Sequence, residues 1–205
     1  MDFCSNKKSP PAPPAVPVQT EIERVQQKAR EDETRLAIEN QKKIEDQKKN
    51  ILKESASKRF VFSELTVRDK YSGLTWTRNG NLGDCYWKEA AKLMRELNSN
   101  KYGGFNNWRL PSKNELVSLK DYVYKANNDP THASLDSAFH EMGFLNIEHG
   151  SYWTSSSVYK KTIHYYQIPP LRVYNVWCVD MGNGNVAEWD REDFGRYVWP
   201  VRSGK

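Results

Sequence analysis

This sequence predicts an α+β domain behind a charged helix and a proline-rich tether, and three observations predict it. First, the aromatics are segregated: all seven Trp and all eleven Tyr follow residue 58, and residues 1–58 hold a single aromatic, Phe3. Only residues 59–205 can bury a sizeable core, and their number suits one domain. Second, two stretches of that part carry the apolar spacing of amphipathic helices. Third, short alternating runs bounded by Asp, Asn and Gly turns follow them, as antiparallel strands require. Two helices ahead of a loop-rich antiparallel sheet make an α+β arrangement.

Taken in order, residues 1–20 are a tether. Pro10-Pro11-Ala12-Pro13-Pro14-Ala15-Val16-Pro17 favours an extended, semi-rigid chain. Residues 21–58 contain Glu, Lys, Gln, Arg and Ala but neither Gly nor Pro, so helix propensity is high. Ile22, Val25, Ala29 and Leu36 fit a heptad seam, which then slips by one to Ala37, Ile44 and Ile51. Asp32 and Glu39 occupy positions where the first register wants apolar residues. Two readings stay open: a solvated single helix held by Glu–Lys pairs, or a weak coiled coil through which copies of the chain associate.

The globular part, residues 59–205, opens on Arg59-Phe60-Val61-Phe62. Asp69-Lys70-Tyr71-Ser72-Gly73 between Val67 and Leu74 reads as a hairpin turn, with Trp76 inward on the second strand. Asp84 is the expected cap of a helix from about Tyr86 to Asn98, whose stripe is Trp87, Ala90, Ala91, Met94 and Leu97. Trp108-Arg109-Leu110 reads as a short strand ended by Pro111, and Ser112-Lys113-Asn114-Glu115 as a capping box. Residues 125–150 read as irregular, apart from a turn or two of helix at Leu135 to Met142. Strands are then expected at Ser151 to Ser155 and at Val173 to Met181. The second alternates Val176 and Cys178 with Trp177 and Val179, and Gly182-Asn183-Gly184-Asn185 turns it back to Trp189. Tyr197 to Val201 closes the sheet, with Pro200 expected on an edge.

The formal net charge of +5 is mild and mixed along the chain. It lacks the concentrated basic face of a nucleic-acid binder. No run approaches the ~20 apolar residues of a membrane span. Cys4, followed by Ser5-Asn6-Lys7-Lys8 and the proline tether, looks like the start of a mature bacterial lipoprotein, although Met1-Asp2-Phe3 is no lipobox. The expectation is a lipid-anchored envelope protein, outer-membrane if so; a chance cysteine in a tail is the plainer reading.

Four phrases recur to the end of the chain: Gly73-Leu74-Thr75-Trp76, Trp108-Arg109-Leu110-Pro111, Trp153-Thr154-Ser155 and Val201-Arg202. In this order, with the Asp180-to-Asn185 hairpin before the last, they make residues 59–204 resemble the C-terminal domain family of the Legionella collagen-like adhesin. The resemblance implies a C-type-lectin-like fold, a twisted antiparallel sheet with two flanking helices and long loops, displayed outside the cell on a stalk. For the namesake it implies trimers that bind sulfated polysaccharides. A charged helix stands here where the namesake has collagen-like repeats, which puts the trimer in doubt. Neither Glu-Pro-Asn nor Trp-Asn-Asp, the calcium-site phrases of sugar-binding lectins, occurs.

The residues themselves offer one set of ligand candidates. Tyr159, Lys160, Lys161, His164, Tyr165, Tyr166, Arg172 and Tyr174 interleave aromatics with bases between two expected strands. Tyr can stack on a sugar face or fill a partner's pocket, and Lys and Arg pair with sulfate, phosphate or carboxylate. A hairpin whose tyrosines pack on the core is the alternative. Glu188, Asp190, Arg191 and Arg196 are the other half of such a surface. Trp76, Trp108, Arg109, Trp153 and Arg202 read as structural. Cys85 and Cys178 are either a disulfide pair or two buried thiols.

Catalysis finds little support. Thr154 to Ser157 lack a nucleophile elbow, and His132, His140, His149 and His164 lack ligand spacing, so no metal or cofactor is expected. Glu188 and Asp190 could in principle hydrolyse a glycoside. The formylglycine-generating oxidases, which share the broader fold, need paired reactive cysteines. The sequence therefore reads as a non-enzymatic domain that binds a glycan or a surface protein. The alternative is a structural subunit that docks onto other envelope proteins.

Overall fold

The structure, a computed structural model, describes residues 18–128, 135–161, 172–191 and 194–204. It divides into two units, Met1–Asp46 and Gln47–Lys205. Helix α1 (Val18–Arg59) contributes to both. Cys4 and most of the proline tether lie outside the described residues.

In the first unit α1 is a solvated helix. Arg24–Glu21, Arg35–Asp32 and Lys43–Glu39 pair one turn apart, each supporting the helix by a few tenths of a kcal/mol. Ile22, Val25, Leu36 and Ile44 of the expected seam are all exposed in the single chain.

The second unit begins at Gln47, earlier than the sequence boundary at 58/59. Leu52 and Ala56, one turn apart on α1, and Phe60 just after it are buried in the main core, whereas Ile51 of the expected seam is exposed. Two apolar positions in a charged helix carry too weak a period to be recognised before their partner surface is known.

In chain order the strands and helices that follow are β1 (Phe60–Phe62), β2 (Thr66–Asp69), β3 (Leu74–Thr77), β4 (Asp84–Cys85), α2 (Trp87–Ser99), α3 (Lys113–Asn127) and α4 (Leu135–Met142). Then come β5 (Ser151–Lys161), β6 (Arg172–Asp180), β7 (Val186–Asp190), β8 (Arg196–Tyr197) and β9 (Val201–Ser203). They form a four-stranded sheet, β1-β2-β3-β9, and a five-stranded sheet, β4-β8-β5-β6-β7. The fold is α+β, as the sequence predicts.

Several elements form for legible reasons. Asp69 closes the β2–β3 turn: its carboxylate accepts from Tyr71 N–H at 2.9 Å and from the Ser72 hydroxyl at 2.7 Å. Gly73 follows at φ +72°, a conformation glycine adopts without strain. Ser112 caps α3 and Glu115 bonds back to its N–H at 2.7 Å, completing the capping box. Helix α2 differs from expectation, because Asp84 lies in β4. Tyr86 is the cap residue, and the Glu89 carboxylate accepts its N–H at 3.0 Å.

The five-stranded sheet separates two apolar clusters. Val179 and Tyr152 face Leu116, Leu119, Val123, Phe139 and Trp199. Val176, Cys178 and Trp153 face Ala90 and Met94 of α2, with Trp108 and Leu110. This is the period-two alternation of a sheet buried on both sides. The terminal strand expected at Tyr197 to Val201 is two strands, with Val198, Trp199 and Pro200 between them. Pro200 connects the two sheets instead of lining an edge.

Candidate functional site

The phrases that first mark this chain are spent on its framework. Trp76 and Trp199 pack at 5.4 Å between ring centroids, and Trp199 donates to the Thr77 carbonyl at 3.0 Å. Trp108 is fixed at both ends, its backbone N–H to Asn98 at 2.6 Å and its indole to the Tyr102 carbonyl at 2.9 Å. Arg109 grips Glu115 with both terminal nitrogens, at 2.8 and 2.7 Å, so the strand-like Trp108-Arg109-Leu110 is bolted to the cap of α3. Its backbone bridges Val201 in both directions at 2.9 Å. Arg202 donates to Asn107 at 2.7 Å and stacks on Phe105 at 3.9 Å. Trp153 donates to the Cys85 carbonyl at 2.7 Å.

The hydroxyls after Trp153 are equally committed. Thr154 donates to the Trp177 carbonyl at 2.6 Å and Ser155 to the Pro111 carbonyl at 3.2 Å, while Ser156 accepts from Lys113 N–H at 2.9 Å. Among the described residues none of the three is hydrogen-bonded to a base that would activate it. His140 Nε2 accepts the Ile147 N–H at 2.9 Å, a loop-holding role. Among the described residues no three His, Cys, Asp or Glu converge as a metal site.

Surface chemistry gathers on the α2-facing side of the five-stranded sheet, at the end of β7. The Arg196 guanidinium lies 4.5 Å from the Trp189 ring centre and 5.8 Å from that of Trp153. Arg191 covers Trp87 at 4.1 Å, and with Tyr86, Lys88 and Glu89 the two line a groove of about 450 Å³. Exposed Tyr86, Trp189 and Phe194 add aromatic surface. Across the strand, alternation sends Glu188 and Asp190 to the opposite face, that of Trp177, whose ring carries Lys113 at 4.0 Å. The structure thus splits the expected set of four: Arg191 and Arg196 join the aromatics on one face, and the two carboxylates share the other. It also adds residues not singled out as site candidates. Tyr86 and Trp87 read only as helix positions, and an aromatic just ahead of an amphipathic helix was the available signal.

The other expected set is not a free loop at its ends. β5 and β6 pair Tyr159 with Tyr174, Lys160 with Val173 and Lys161 with Arg172, so β5 runs six residues beyond its expected end at Ser155, while β6 lies within one residue of its expected bounds. A register shift between Trp153 and Ser157 breaks the side-chain period of β5, which is why the reading stopped at Ser155. His164, Tyr165 and Tyr166 lie outside the described residues.

The disulfide alternative is corrected: Cys85 and Cys178 are both free. Cys85 lies on β4 and Cys178 on β6, with β8 and β5 between them. Three strand spacings are about 14 Å, twice what a disulfide can bridge. Burial pushes the Cys178 thiol up to about 12, against a smaller opposing effect of Arg196. Burial, then the carboxylates of Glu89 and Asp84, push Cys85 up to about 11.

Fold and site together define an α+β domain whose recurring Trp and Arg residues hold the framework while an aromatic and cationic sheet edge faces solvent. The chain belongs to the Lcl C-terminal domain family, which matches residues 65–202. That membership supports an adhesin-type domain of the bacterial surface or envelope. No curated protein and no solved structure matches. Among the described residues, no helix is long and apolar enough to cross a membrane.

Proposed function

We propose that residues 47–204 form a non-enzymatic, C-type-lectin-like binding head that recognises a glycan at the bacterial surface. The tether and the first part of α1 serve as its spacer, anchored through a lipid on Cys4. It needs no cofactor and takes no nucleic acid. The observation that carries this reading is the surface at the end of β7, where exposed Tyr86 shares a groove with Arg191 and the Arg191 and Arg196 guanidinium groups are already stacked on Trp87 and Trp189. Aromatic faces suit sugar rings, and cations beside them suit sulfate or carboxylate substituents. The neighbouring β5–β6 hairpin adds Tyr159, Lys160, Lys161, Arg172 and Tyr174. The lectin-like architecture is supported by two helices packed on antiparallel sheet and by β9, the last strand, pairing with β3 near the start of the head.

The test is binding of the full chain to neutral and sulfated glycans at two salt concentrations. Salt-sensitive binding that weakens in the Lys160→Ala, Lys161→Ala double variant, with an unchanged melting temperature, is the expected outcome. Unchanged affinity removes the hairpin from the site.

A second reading rests on β7 being an open sheet edge with Val186 and Trp189 exposed. Such an edge can take a strand from another envelope protein. Under that reading the glycan arrays stay blank, and β7-edge charge substitutions abolish co-purification of the partner instead.

A further inference from the structure

Helix α1 carries a stripe of side chains that no described residue of the same chain covers. From Ile22 to Ile44 it runs through Val25, Ala29, Glu33, Leu36 and Asn40, at spacings of three, four, four, three, four and four. That is one unbroken 11-residue period, and the slip that a heptad seam meets between Leu36 and Ala37 disappears. At about 3.67 residues per turn the stripe stays almost on one line of a helix, so a second helix can lie along it nearly straight. Every residue of the stripe is exposed, Val25 at 62% and Leu36 at 58%. A helix that serves only as a solvated spacer has no use for such a line.

The groups beside the stripe decide what covers it. Two copies laid antiparallel and centred at Leu36 and Ala37 set Ala29 against Ile44 of the second copy, small against large, and Leu36 beside its own copy. Glu33 then meets Asn40, a carboxylate facing an amide that can donate to it. On one flank Asp32 meets Lys43 and Lys28 meets Asp46, and on the other Arg30 meets Gln41. Each contact occurs twice by symmetry, and none sets like charges together. Asp32 and Lys43 already pair with Arg35 and Glu39 along their own helix, at 2.9 and 2.8 Å. All four side chains stay more than half exposed, with bonding capacity left for a partner across the seam. A parallel pair in register instead stacks Glu33 on Glu33 inside the seam.

We infer that the stripe from Ile22 to Ile44 is a docking surface for the same stripe of a second copy, and that the two α1 helices join antiparallel. The occupant is a copy of this chain because its own charges are the complement in that direction. A foreign helix of one sign would meet both Asp32 and Lys43, and gain from only one of them. The few apolar layers and the Glu33–Asn40 contacts make a weak pair, formed where copies are concentrated. Antiparallel order sends the two N termini in opposite directions, so the pair links two chains instead of gathering them on one anchor. It is independent of what the head binds.

Sedimentation of the full chain at rising concentration tests the pairing, and crosslinking tests its direction. A monomer passes into a dimer, and Leu36→Glu, which sets two carboxylates at the centre, raises the dissociation constant about tenfold or more while the melting temperature stays unchanged. Ala29→Cys and Ile44→Cys are then made separately in a chain carrying Cys4→Ser. On oxidation the two variants crosslink with each other when mixed, and neither crosslinks with itself. In the antiparallel pair the two copies of position 29 lie roughly 22 Å apart along the axis, far beyond the reach of a disulfide. Self-crosslinking of each variant alone marks a parallel bundle and overturns the inference. A chain that stays monomeric at every concentration overturns it too, as does Leu36→Glu with parental association.

Discussion

Two ion pairs, Arg59–Asp69 buried and Arg109–Glu115 half-buried, show how single residues hold this head. Burial alone would raise the Asp69 carboxyl, but bonds from Arg59 and Ser72, the guanidinium charge and the Tyr71 N–H outweigh it and hold it below its ordinary value. A carboxyl depressed in the folded state stabilises above its unfolded value of about 3.9, and that stability is lost as pH falls through the folded value. The head is therefore expected to lose stability in acid below about pH 4. Asp69→Asn should cost about 3 kcal/mol at neutral pH by leaving Arg59 buried without its charge, and should flatten that acid limb. An Asp69→Asn variant with the parental acid profile in circular dichroism would contradict this. Glu115 is also depressed: burial opposes, but the Arg109 bonds and the Ser112 N–H prevail. Glu115→Gln should cost about 2 kcal/mol in chemical denaturation, because it weakens a charged bond and a helix cap together. Of these two pairs, Arg109 with Glu115 was partly legible, since a capping box puts Glu115 at a known place. Arg59 with Asp69 was not: one ends a helix, the other closes a turn, and only the β1–β2 register brings them together.

At the scale of elements, capped and turn-bounded segments were the readable ones. Helix α3 begins behind Ser112, α4 occupies Leu135–Met142, and β6 turns at Gly182 to Asn185, all near the expected places. The end of α1 lies where helix propensity places it, but the burial of its last turns in the head was not legible, because propensity is uniform across Asp46 and Gln47 while burial is not. Leu52→Ala should therefore destabilise the head by about 3 kcal/mol, although the residue lies in what reads as stalk. A chain trimmed to start at residue 59 should melt about 10 °C below one that starts at 47. Equal melting temperatures for the two would show that Leu52 and Ala56 contribute nothing to the core. Strand β5 extends beyond its readable period because backbone pairing continues where a bulge has already shifted the side-chain alternation.

For the whole molecule, the two-sheet arrangement decides what is reactive and what is exposed. Cys85 and Cys178, separated by two strands and with raised thiol values, should resist iodoacetamide in the native protein at pH 8 and react in denaturant. Fast modification of either native thiol would be inconsistent with this burial. The sequence by itself determined the α+β class, the family, the capped helix α3 and the structural use of its Trp and Arg phrases. These depend on local periodicity, on caps and turns, and on motif order, which a linear chain displays. Tertiary structure alone decided the rest. It joined the end of α1 to the head, split Arg191 and Arg196 from Glu188 and Asp190, kept the cysteines apart, and set Arg59 against Asp69. Each of these depends on strand register or on packing between elements distant in sequence, and neither is encoded in the spacing of neighbouring residues.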